Sequence, residues 1–297
     1  MITPADRRAA RTGYPRAPSR SRTVARRFLR SGQGRLGAAL LCLVVLPALA
    51  GPLVCRWSPA DLDFGAFLRP PSAAHWFGTT QTGGDVFALT MSGTRRSLAV
   101  GLLVAVLATA VAAVTGACAG YFLGWTDRVL MRVADLLLVL PAFLVLAVMS
   151  PLFGPGRWPL FVVMLTLFLW MVTGKVVRGM TRSLREREYI RAARYMGVPA
   201  GTIIFRHVLP NLASLLIVDA TLNVSAAILT ETSLSYFGFG VQPPEVSLGG
   251  LIADGARTAL YAPWTFWFAA GTLVGTILSV NLAGDALRDA FDPGGRR

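Results

Sequence analysis

Five stretches of this 297-residue chain contain no Asp, Glu, Lys or Arg: residues 36–55, 97–126, 136–156, 158–174 and 258–284. They are 20, 30, 21, 17 and 27 residues long. A helix needs roughly 17–25 apolar residues to cross the hydrocarbon core of a bilayer, so each stretch is long enough to span. No water is present there to satisfy backbone N–H and C=O groups, which leaves helices or a closed barrel as the only spanning forms. A sixth segment, 207–235, is apolar except for Asp219, Asn223 and Glu231. It suits one long tilted helix or a helix broken near its middle. Six spans make the chain an all-α integral membrane protein. The 15% content of charged residues agrees, against about 25% in soluble domains.

Lys and Arg concentrate on the cytoplasmic flanks of spans. Ten arginines precede or include Arg35, and Arg128 and Arg132 follow the second span. Eight basic residues occupy 175–206, and the C-terminal end adds Arg288, Arg296 and Arg297. The remaining loops hold only Arg56, Arg69, Arg95, Arg96, Arg157 and Arg257. Both termini and the segment between spans four and five are therefore expected in the cytoplasm, in a multi-pass protein of the inner or plasma membrane. This asymmetry accounts for the net charge of +14 without nucleic acid. Residues 1–34 form an Arg-rich tail that reads as disordered and within reach of anionic membrane lipid. Residues 35–96 hold the first span and an extracytoplasmic segment, 97–292 a core of five spans, and 293–297 a short tail.

Catalysis has little support. Cys42, Cys55 and Cys118 form no CxxC and read as small packing residues. His75 and His207 are far apart, and no HExxH, GxSxG or GxxxxGK[ST] occurs. No catalytic, metal or cofactor site is expected in the chain.

Residues 175–206 exceed what a reconnecting loop requires. From 181 to 196 the sequence TRSLREREYIRAARYM is rich in helix formers, with Tyr189, Ala192, Ala193 and Met196 at i, i+3, i+4 and i+7. Gly197 suits the left-handed position past a helix end, and Pro199 the start of the next helix, 200–207, which leads into Leu209, Pro210 and Asn211. One reading is an amphipathic helix lying on lipid headgroups. The other is a docking element whose stripe of Ala192, Ala193 and Gly197, flanked by Tyr189 and Met196, fits a partner's groove. Periodicity leaves both open. Ionisable groups within spans face protein or water rather than lipid. Asp135 pairs with Arg132 on a helix surface or belongs to a translocation path. Asp219, Asn223 and Asn281 line a polar path or pair across helices, and Glu231 makes a gate contact or a hydrogen bond closing the end of span five.

The stretch EYIRAARYMGVPAGTIIFRHVLPN, residues 188–211, resembles the cytoplasmic motif of ABC importer permeases: Glu-Ala-Ala, three residues, Gly, nine residues, then Ile-x-Leu-Pro. The spacing is kept through Arg191, Ala192, Ala193, Gly197, His207, Leu209 and Pro210. Arg191 stands in place of the Glu, with Glu188 three residues earlier, and His207 in place of the Ile. The block from His75 to Thr80, then Gly83, Gly84 and Asp85, is similar to the HPLGTDxxGRD signature of the dipeptide/oligopeptide permeases, C-type subunit, with Gly84 replacing Arg. The resemblance implies a type I ABC importer permease fold, with a coupling helix at 181–210 between helices 4 and 5. It implies docking to an ATPase through Glu188, Tyr189, Arg191, Ala192, Ala193, Met196, Gly197, Leu209 and Pro210. It also implies partners: a second homologous permease, two ATPase subunits or one fused, which hold the ATP and Mg, an extracytoplasmic substrate-binding protein, and a di- or oligopeptide substrate. Nickel, haem or glutathione are alternative cargoes in related importers. A stand-alone carrier would be expected to show two repeated halves, and no clear internal repeat is visible.

Overall fold

The computed structural model describes residues 20–154, 156–242 and 244–291. The first element, α1 (Arg20–Arg30), is helical, so the tail expected to be disordered through residue 34 is ordered from Arg20. Residues 1–19 and the tail 293–297 lie outside the described residues. Ser31 separates α1 from α2 (Gly32–Val54), and its Oγ caps α2 by accepting the Gly34 N–H at 2.9 Å. A capping hydroxyl satisfies one of the amides that a helix start leaves without a partner.

Among the described residues, four helices are long and apolar enough to cross a membrane unbroken: α2, α3 (Val86–Phe122), α10 (Leu209–Tyr236) with the turns before it, and α12 (Trp264–Phe291). Two further crossings are bent pairs. The first joins α4 (Gly124–Val139) to α5 (Ala142–Met149) and a 3₁₀ turn, Ser150–Phe153, with a bend of 79°. Its cause is Pro141, which pushes the preceding Leu140 out of the helical region to φ −73°, ψ 127°. The second joins α6 (Trp158–Leu169) to α7 (Met171–Arg185) at 47°. The bend falls at Trp170, whose buried ring packs with Ala108, Ala112, Ala134 and Met171. Counting each pair once gives six crossings.

Two sequence expectations shift. The charge-free run 136–156 is not one straight helix, since its start belongs to a helix beginning at Gly124. A boundary between residues 96 and 97 falls inside α3, which begins at Val86.

The bundle centres on α3, which packs along α7, α10 and α6. Its inward face is a run of small residues, including Ala105, Ala108, Ala112, Ala117 and Ala119, all at most 1% exposed. Small residues let backbones approach closely, the main source of attraction between helices that lipid surrounds. The limit is reached at Gly116 and Gly120, where an added Cβ would lie 2.4 Å from the Gly174 carbonyl oxygen and 2.5 Å from that of Arg178. α2 packs on α12 and leaves Leu43, Leu46, Leu49 and Leu53 exposed along its outer side, as a lipid-facing helix would.

Candidate coupling surface and polar path

The helix expected over 181–196 is two helices. α7 carries the basic end of the bent crossing to Arg185, a turn follows, and α8 (Glu188–Tyr195) starts afresh. No Gly or Pro marks the break. α8 ends in a Schellman arrangement: the Gly197 N–H bonds the Arg194 carbonyl and the Val198 N–H the Ala193 carbonyl. Gly197 takes φ +75°, where a side chain is strained, and open space surrounds it. α9 (Ala200–Ile203) and a π turn, Ile204–Val208, then run into α10 as one continuous helical stretch, Ala200–Tyr236.

The π turn answers a problem posed by Pro210. A proline inside a helix offers no N–H to the carbonyl four residues back and crowds it. Here the turn before it is widened, Leu209 and Pro210 begin α10, and the Asn211 side-chain amide donates to the His207 carbonyl at 2.6 Å.

α8 has two faces. Ile190 and Ala193 point inward and are 0% and 6% exposed, packed with Tyr121, Val177, Ile203 and Val208. Tyr189, Ala192 and Met196 point outward, with Tyr195 beside them; Tyr195 is 83% and Met196 75% exposed. The stripe read from the sequence therefore divides, Ala193 anchoring the helix and the others lying free. Glu188 and Arg191 are exposed and make no ion pair among the described residues. Leu209 is half-buried against the same inner cluster.

At the opposite end of the bundle, Glu231 of α10 is completely buried. Its Oε2 accepts from the Ser97 hydroxyl of α3 at 3.0 Å and its Oε1 from the Ser235 hydroxyl at 2.7 Å. Ser97 Oγ accepts in turn from the N–H of Leu248, the first residue of α11 (Leu248–Thr258), at 3.4 Å. Ser235 Oγ accepts the Val241 N–H at 3.2 Å. One carboxylate thus ties together α3, α10, the loop after α10 and α11. Beside it lies a cavity of about 480 Å³ whose lining includes Thr90, Gln242, Glu245, Asp254 and Arg257.

Asp219, midway along α10, accepts from Thr173 of α7 at 2.7 Å, Thr109 of α3 at 3.4 Å and Asn223 at 2.8 Å. A cavity of about 350 Å³ lies against it, bordered also by Ser214, Leu222 and Arg288. Asn281 of α12 accepts from the Ser225 hydroxyl at 2.8 Å. Glu231, Asp219 and Asn281 are therefore each held by a hydroxyl on a neighbouring helix. Asp135 differs from expectation: it pairs with Lys175 Nζ of α7 at 2.5 Å, not with Arg132.

Two further charge pairs are not evident from the sequence. Arg178 of α7 grips both oxygens of Asp127 of α4, at 2.5 and 2.6 Å. Arg96 of α3 pairs with Glu245 at 3.2 Å and lies over the Trp158 ring at 5.1 Å. A basic residue near the end of one span and an acid near the end of another were the available signal. Among the described residues no group of three His, Cys, Asp or Glu side chains is placed to hold a metal.

Residues 112–297 match the family described as binding-protein-dependent transport system inner membrane component. The chain is 52% identical to the oligopeptide transport system permease protein OppC of Mycobacterium tuberculosis (strain ATCC 25618 / H37Rv), over 94% of this chain and 96% of that protein. It is 34% identical to OppC of Bacillus subtilis (strain 168), over 90% of this chain and 87% of that protein. The α8 region, Pro210, Glu231 and Asp219 all fall within the matched residues, and this all-helical membrane chain belongs to the family of inner membrane permease components of binding-protein-dependent ABC transport systems.

Proposed function

We propose that this permease component passes di- or oligopeptides into the cytoplasm, and that α8 is its contact with an ATPase subunit. The observation that carries the second part is the two-faced α8. Its rear is locked into the bundle by Ile190 and Ala193, while Tyr189, Ala192 and Met196 stand free. A helix anchored on one side passes a push to what it is packed on, here the π turn and α10 through Ile203, Ile204, Val208 and Leu212. Gly197, Leu209 and Pro210 shape that route, and Glu188 and Arg191 supply charge at the rim. The peptide cargo is supported by the names of the relatives.

The distribution of basic residues supports an orientation with both termini and α8 in the cytoplasm. Residues 56–85 and α11 then face outside, where a substrate-binding protein delivers cargo. The chain works beside a second, homologous permease, and ATP and Mg are held by two ATPase subunits, or one fused. The translocation path runs from the Glu231 end past Asp219 and Asn223, with Asp135 and Asn281 at its margins. Binding energy at the ATPase then biases two packings of the spans. The test is purification of the chain from its own membranes followed by reconstitution. Co-purifying ATPase and ATP-dependent uptake of labelled peptide are expected; ATPase without uptake of any peptide would remove the cargo assignment.

A further inference from the structure

His75 belongs to a motif that neither the coupling surface nor the path uses. It is 4% exposed, and its two ring nitrogens face two carboxylates: Nδ1 lies 2.8 Å from Asp85 Oδ2, and Nε2 3.4 Å from Asp63 Oδ2. Trp57 stacks on the ring at 4.8 Å. An imidazole offers hydrogen to two acceptors only when both nitrogens carry one; the neutral ring would turn a lone pair toward one carboxylate.

Each carboxylate does a second job. Asp85 Oδ1 caps α3, accepting the Ala88 N–H at 2.8 Å, and α3 continues through Ser97 to the Glu231 group. Asp63 holds the turn that carries Phe64 and Phe67, which are 75% and 52% exposed. Its Oδ1 accepts the Gly65 N–H at 2.8 Å, and its backbone N–H bonds the Gly83 carbonyl at 3.0 Å. The Gly65 amide first, and then the His75 ring, hold the Asp63 carboxyl below the usual carboxylate range. Two other ionisable groups act here: the Cys55 thiol, which feels the charge of Asp85, and the Arg69 guanidinium, which acts on Asp63.

We propose that His75 is a positioning residue for transport: bridging Asp63 and Asp85 through its two ring nitrogens, it fastens the outer segment 56–85 to the first turn of α3. The functional part of this inference rests on the orientation proposed above.

The test has two readouts on the assembled transporter in lipid bilayers. The chain has 2 histidines, so ¹⁵N-histidine labelling gives two imidazoles, and His75→Gln assigns them. The His75 ring is expected to carry hydrogen on both nitrogens, and peptide uptake per assembled complex should fall about threefold or more in Asp63→Ala, which keeps the Asp85 cap. A ring with hydrogen on one nitrogen only would overturn the proposal. So would unchanged uptake in Asp63→Ala. The first readout needs no transport, so failure of the import reading leaves it standing.

Discussion

Glu231 is enclosed within the bundle, and both its carboxylate oxygens accept hydroxyl hydrogen bonds. Removing one partner from such a group leaves buried polar atoms unsatisfied, at a cost of about 1–3 kcal/mol. Glu231→Ala should therefore lower the melting temperature of the purified transporter, because it strands the Ser97 and Ser235 hydroxyls. Glu231→Gln keeps the volume and one acceptor oxygen and turns the other into a donor toward which one serine hydroxyl can reorient, so it should assemble and yet transport more slowly, as measured by uptake per assembled complex. Unchanged uptake in the Gln variant would remove Glu231 from the gate. That this acid needs protein around it was legible from sequence, since a charge facing lipid costs several kcal/mol. Its partner was not, because Ser97 lies 134 residues away. Asp135 was misread for the same reason: Arg132 is its neighbour in sequence, whereas Lys175 is its neighbour once α4 and α7 lie side by side.

At the scale of elements, α3 and α7 approach as closely as they do because of Gly116 and Gly120. Gly116→Val should force the two helices apart and cost on the order of 1–3 kcal/mol or more, read as loss of folded protein in a detergent melting series. Gly179→Ala, on α7 with nothing within 4 Å, is the control and should be neutral or slightly stabilising. For α8, Gly197→Val places a β-branched residue at φ +75°, a strain of roughly 1–2 kcal/mol. It should loosen the helix end and lower uptake per ATP hydrolysed, with the bundle intact; an unchanged ratio would detach Gly197 from coupling. The helical period over 188–196 was legible in the sequence. Which small residue of the stripe faced inward was not, because Ala192 and Ala193 are adjacent and only the inner cluster under Ile190 distinguishes them. The break after Arg185 was equally hidden, as neither Gly nor Pro announces it.

For the whole molecule, five apolar segments were readable from the absence of charge and a sixth in spite of Asp219 and Glu231, and among the described residues six crossings result when each bent pair is counted once. The bends were not readable from hydropathy, although Pro141 stood in plain view: hydropathy alone does not tell whether a proline kinks a helix or ends it, as it does here. The outer segment is a second case. His75 and Asp85 were noticed as part of a motif, but the third member, Asp63, joins them only when the segment folds back on the start of α3. The outward face of α8 is the proposed meeting point with an ATPase. The direct measurement is crosslinking in native membranes, with Met196→Cys in a chain whose three native cysteines are replaced by Ala. A short bifunctional maleimide should join the introduced thiol to an ATPase subunit bearing a surface cysteine, and that product should weaken or shift when ATP is added. Labelling of the same thiol by an impermeant reagent applied from outside the cell, with no ATPase crosslink, would contradict it.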